Sequence, residues 1–106
     1  MSGYLRQKQK NGKWRRSWFV LKDCVLYTYR ANEDMVAVDT LPVLGWQVDA
    51  EHVEREGDSF VPAGEVFALS HASSDTEVFS ADTDITKERW VEAFREATRI
   101  SGDSEA

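Results

Sequence analysis

The chain has 106 residues, 42% of them apolar and 11% aromatic, with a formal charge of −6 at pH 7. This suits one folded domain with a modest core and excludes a disordered chain. No apolar run approaches the roughly 20 residues that a membrane-crossing helix needs, and no secretory leader is legible.

The net charge hides a strong asymmetry. The first 22 residues hold 7 of the 13 Lys and Arg and none of the 19 Asp and Glu. The other 84 residues carry 6 basic and 19 acidic groups, a balance of −13. One end can therefore face an anionic surface while the acidic remainder points away. The lone Cys24 has no partner for an internal disulfide, and its strand-like apolar context predicts a buried thiol in a reducing compartment. His52 and His71 stand far apart without other ligand-type residues at useful spacing, so neither a metal nor any other cofactor is expected.

In chain order, residues 3–9 read as a first strand with Leu5 toward the core. Asn11-Gly12 is a turn signal between two strand-like runs, making the basic segment a hairpin. Residues 14–22 form its second arm, Asp23 begins a short turn, and residues 24–30, rich in Val, Tyr and Thr, make a third strand. Residues 31–34 are polar and turn-like. Residues 35–40 alternate as a fourth strand that Pro42 terminates, and residues 44–50 make a short fifth. From Glu51 to Gly64 the pattern dissolves into an acidic loop (Glu51, Glu54, Glu56, Asp58), either functional or merely solvated. Residues 65–71 and 76–81 form a second hairpin about a turn at 72–75.

The period then changes. Trp90, Val91, Phe94, Ala97 and Ile100 recur at spacings of three and four, predicting an amphipathic helix over 85–100. Thr83 or Asp84 can cap its start and Gly102 can stop it. Seven short strands and one helix define a mainly β fold, an antiparallel barrel or sandwich closed at one end by the C-terminal helix, with Trp90 and Phe94 as the plug. The domain is expected over 3–100, with 1–2 and 101–106 as flanking tails. Trp18, Phe19, Tyr27, Tyr29, Trp46, Phe67 and Phe79 are expected to serve packing.

Strand parity divides the basic groups. If Leu5 faces the core, so does Gln7, leaving Arg6, Lys8 and Lys10 outside. If Phe19 and Leu21 face inward, so do Arg15 and Ser17, leaving Trp14, Arg16 and Trp18 outside. Most of the positive charge then lies on the outer wall or tip of the hairpin.

Gly3-Tyr4-Leu5, the segment Trp14-Arg15-Arg16-Ser17-Trp18-Phe19-Val20-Leu21, the segment Val25-Leu26-Tyr27-Thr28-Tyr29 and the helical Trp90 together resemble a pleckstrin-homology (PH) domain. Within that family the chain is similar to the C-terminal PH domain of the faciogenital-dysplasia exchange factors, which carry RhoGEF, PH and FYVE domains. Met1-Ser2-Gly3-Tyr4-Leu5, the 25–29 strand, Glu33-Asp34 and Leu41-Pro42-Val43-Leu44-Gly45 carry that likeness. The resemblance implies a PH-type seven-stranded barrel and phosphoinositide binding at its open end. The family pattern wants an inward lysine on the first strand, then a basic residue and an arginine on the second; here those places hold Gln7, Arg15 and Ser17. Ser17 is too short and uncharged for the bidentate phosphate contact of arginine.

Two readings follow. In the first, a non-catalytic module binds anionic lipid weakly and with little selectivity through Lys8, Lys10, Lys13, Trp14, Arg15 and Arg16, an arrangement similar to PH domains with a lipid site outside the first hairpin. Trp14 would enter the interface. In the second, the module docks a protein partner or a neighbouring domain of its parent protein without lipid. The resemblance implies a cytoplasmic signalling protein of the Rho exchange-factor kind, peripheral to membrane and cytoskeleton, with the isolated domain monomeric. Catalysis is not expected, since no nucleophile, base and orienting group fall into one signature. Nor is nucleic-acid binding, with one basic hairpin set against an acidic remainder.

Overall fold

A computed structural model of the chain describes residues 1–53, 55–56, 59–60 and 65–100. Its strands are β1 (Ser2–Lys8), β2 (Trp14–Lys22), β3 (Val25–Tyr29), β4 (Asp39–Pro42), β5 (Gln47–Asp49), β6 (Arg55–Glu56), β7 (Ser59–Phe60), β8 (Glu65–His71) and β9 (Ser74–Ala81), followed by the helix α1 (Asp84–Thr98). Seven strands form one antiparallel sheet in the order β4-β3-β2-β1-β9-β8-β5, while β6 and β7 pair with each other. The mainly β, seven-stranded architecture with a C-terminal helix is thus the one expected.

Each turn has a local cause. At the β1–β2 tip, Gly12 N donates to Gln9 O at 2.9 Å and Gln9 N donates to Lys13 O at 2.8 Å. Gly12 takes φ 85°, so Asn11-Gly12 closes a three-residue loop rather than a two-residue one. Between β2 and β3 the loop has only two residues, Asp23 (φ 53°) and Cys24 (φ 63°). Positive φ at both positions matches the right-handed twist of the flanking strands. Cys24 is therefore a half-buried turn residue and not the first residue of a buried strand.

Two further expectations need correction. β4 starts at Asp39 and contains Pro42, so the alternating residues 35–38 are loop rather than strand. Proline is tolerated there because β4 is an edge strand. Leu44-Gly45 forms a turn, with Trp46 N donating to Val43 O at 3.0 Å, which shortens β5 to three residues. In the expected acidic loop, Glu54, Asp58 and the breakers Gly57, Pro62 and Gly64 lie outside the described residues.

Helix and sheet close on one aromatic core. Trp90 and Phe94 lie one turn apart and are buried. The Phe94 ring stands 5.9 Å from Phe67, 6.0 Å from Phe79 and 5.7 Å from Trp90. Thr83 is the N-cap, its Oγ1 accepting from Thr86 N at 3.1 Å. The far end is satisfied from the β4–β5 turn, where Gly45 N donates to Thr98 O at 2.9 Å. Gly102, expected as the stop, lies outside the described residues. Ile100 falls beyond the helix and is exposed, so Thr98 takes its place on the buried face.

Candidate functional site

The end of the barrel away from the helix is rimmed by the β1–β2 tip, the β3–β4 loop and the start of β9. The β1–β2 register sets which side chains look into it: Leu5 lies opposite Ser17, and Gln7 opposite Arg15. Since Leu5 is buried and side chains alternate, Gln7, Arg15 and Ser17 share the inner face. The other face carries Tyr4 opposite Trp18, Arg6 opposite Arg16 and Lys8 opposite Trp14.

The mouth is two adjacent clefts sharing Gln7, Gln9 and Asp39. The first, about 550 Å³, is bordered by Arg15, Arg16 and Arg30, with Ser17 and Thr28 deeper and Val38 on its rim. Ser17 is only 4% exposed, a short hydroxyl at the back of a cationic cleft. Arg30 was missed in the sequence, although Leu26 is buried and the same parity carries Thr28 and Arg30 to the inner face. The second cleft, about 930 Å³, opens where β1 leaves β9, since those strands pair only at Arg6–Ser80 and Gln7–Phe79. Lys8 and Lys10 line it, but so do Asp39, Asp75 and Glu77, along with His52. Lys8 and Lys10 therefore face carboxylates and do not converge with Arg15.

Glu77 governs the second cleft. Phe79 and Ala81 are buried, so parity turns Glu77 inward, where its Oε1 accepts from Gln7 Nε2 at 2.8 Å. Burial raises its pKa above the ordinary value of 4.5; the Gln7 bond lowers it, Asp39 and Asp75 raise it, and Lys10 lowers it. The inner wall of the second cleft thus carries a carboxylate hydrogen-bonded to Gln7.

On the outer face the Arg16 guanidinium stacks over the Tyr4 ring, 3.8 Å from its centroid. Tyr4 also meets Trp18 edge-on at 4.9 Å. Arg6 pairs with Asp82 at 2.8 Å, which relieves its placement opposite Arg16. Lys13 is exposed beside the turn and its backbone N donates to Asn11 Oδ1 at 2.9 Å. Trp14 is half-buried with its indole Nε1 covered, and neither Lys13 nor Trp14 lines either cleft. Of the six expected residues, Arg15 and Arg16 line the first cleft, the Arg16 guanidinium turning to the outer face over Tyr4, and Lys8 and Lys10 line the second. Among the described residues no group of three or more His, Cys, Asp or Glu could hold a metal ion. No described helix is long and apolar enough to cross a membrane.

A sheet bent into an open barrel is thus plugged by Trp90 on a C-terminal helix and mouthed by the β1–β2 and β3–β4 loops. The chain belongs to the PH domain family, whose profile matches residues 1–99. It is 40% identical over 99 residues to the FYVE, RhoGEF and PH domain-containing protein 6 of Mus musculus, covering 92% of this chain and 7% of that protein. The chain thus spans less than a tenth of the relative's length. Among solved structures it resembles the pleckstrin homology domain of mouse Ethanol Decreased 4 protein, with a TM-score of 0.73, 39% identity and coverage of 100% of this chain and 92% of that one. The C-terminal PH domain of pleckstrin, solved with an inositol pentakisphosphate, shares the fold at a TM-score of 0.73 and 17% identity, covering 93% of this chain and 94% of that one.

Proposed function

We propose that this chain is a non-catalytic module that holds anionic membrane surfaces weakly and with little headgroup selectivity. Lys8, Lys10, Lys13, Trp14, Arg15 and Arg16 carry this binding, joined by Arg30. The supporting observation is the contrast between the two clefts: Arg15 and Arg30 outnumber Asp39 at the first, whereas Asp39, Asp75 and Glu77 outnumber Lys8 and Lys10 at the second. A multiply phosphorylated headgroup needs cations on both sides, and here one side repels it. A surface of single charges asks only for a positive rim. Each basic group near an anionic leaflet contributes about 1 kcal/mol, so several give reversible binding. Firm recruitment then requires a second attachment in the parent protein, an exchange-factor-like signalling protein at the cytoplasmic face.

A second reading is favoured by the outer face. Tyr4, Trp18 and Tyr29 lie in one row across β1, β2 and β3, with Arg16 stacked on Tyr4. These residue types dominate protein interfaces, and the row would serve a protein or intramolecular contact.

Vesicle sedimentation separates the two. Binding to phosphatidylserine vesicles that falls steeply between low and physiological salt, and is lost in an Arg15→Ala/Arg16→Ala/Arg30→Ala variant, supports lipid. A chain that ignores such vesicles at low salt leaves only the protein contact.

A further inference from the structure

The β3–β4 loop carries side chains that neither the fold nor the basic rim uses. Met35 is 94% exposed, Val36 78% and Val38 52%, three large apolar residues within four positions. The remaining exposed large apolar side chains of the described residues, such as Leu44, Ile85 and Ile100, are isolated from one another in the sequence. Isolated exposed apolar residues are ordinary, whereas a cluster marks a contact surface.

The loop is tethered at its base. Asn32 N donates to the Tyr4 hydroxyl at 3.2 Å, Asp34 N to Ala31 O at 3.1 Å and Val38 N to Thr28 O at 2.7 Å. The apolar tip is thus presented on fixed supports. Val38 borders the same cleft as Arg15 and Arg30, with Asp39 beside it, so the apolar and cationic groups adjoin on one rim.

We infer that the β3–β4 loop is a shallow apolar wedge: Met35 and Val36 enter the headgroup–acyl boundary of an anionic bilayer while Arg15 and Arg30 hold its headgroups. This rests on the lipid-binding reading above. Charge selects the occupant, because a neutral apolar partner would gain nothing from the adjoining Arg15 and Arg30 and an anionic bilayer satisfies both parts. Glu33 and Asp34, exposed just before Met35, oppose deeper entry and restrict the wedge to the boundary.

The test uses vesicles of phosphatidylserine and phosphatidylcholine at low salt. A Met35→Ser/Val36→Ser variant should keep its fold, since both side chains are exposed, and should lose on the order of tenfold in partitioning. A Glu33→Gln/Asp34→Asn variant should partition a few-fold more strongly, each removed negative charge adding up to about one lysine's worth of attraction. In a Met35→Trp variant, brominated acyl chains should quench emission beyond the level seen in the unmodified protein. Undiminished binding by the serine variant, or no added quenching while the domain is bound, overturns the wedge and leaves lipid binding standing. An unmodified chain that fails to bind overturns both.

Discussion

Gln7 Nε2 donates to Glu77 Oε1 at 2.8 Å across the divergence of β1 and β9. The two residues occupy inward positions of the mouth, and their bond joins a neutral amide to a half-buried carboxylate. This contact places a carboxylate on the inner wall of the second cleft, beside the basic tip.

The first consequence concerns pH. The folded protein raises the Glu77 pKa above 4.5, chiefly by burial, so it binds this proton more tightly than the unfolded chain does. Between 4.5 and the raised value the folded state holds more protons, and the contribution of Glu77 to stability falls as pH rises. A Glu77→Gln variant should lack that decline. Chemical denaturation from pH 4 to 8 should show the variant gaining on the unmodified protein as pH rises and more stable at pH 7.

A second concerns the missing phosphate grip. Gln7→Lys with Ser17→Arg restores the family's cations, but a lysine at position 7 lies within reach of Glu77 and would pair with it. Calorimetry with a soluble inositol polyphosphate should therefore give a modest gain for the double substitution. Adding Glu77→Gln should raise affinity further. Equal affinities for the double and triple variants would show that Glu77 does not oppose the ligand.

The closing helix yields a third. Phe94 is fully buried among Phe67, Phe79 and Trp90, and Phe94→Ala leaves a cavity that neighbouring rings cannot fill. Thermal or urea unfolding should show a loss of roughly 3–5 kcal/mol. A loss below about 1 kcal/mol would place the helix outside the cooperative core.

A fourth comes from the β2–β3 turn. Cys24 holds φ 63°, where an L side chain costs about 1–2 kcal/mol and glycine almost nothing. Cys24→Gly should raise the midpoint of thermal unfolding by a few degrees, the Val43 N to Cys24 O backbone bond being retained.

Much of this was legible in the sequence for a physical reason. Alternation along β1 and β2 is anchored by Leu5, Phe19 and Leu21, all buried, so the faces of Gln7, Arg15 and Ser17 followed. The helix was legible because Trp90, Val91 and Phe94 must share one side. Residues 35–38 misled because their apolar character is unconnected to the core; strand and exposed wedge look alike until burial is known. Cys24 misled because a two-residue turn can force any residue into the left-handed region. Arg30 lies just beyond β3 and Glu77 is a charged residue within β9, so neither belongs to the hydrophobic pattern that defines its strand. Nothing local pairs Gln7 with Glu77, separated by 70 positions in the chain.

The most direct measurement is a backbone-amide NMR titration with phosphatidylserine nanodiscs. The strongest perturbations should fall on residues 8–17, on Arg30 and on 35–38, and should fade as salt rises. Perturbations centred on α1 or on β8, with the β1–β2 tip unmoved, would contradict a membrane-facing basic rim.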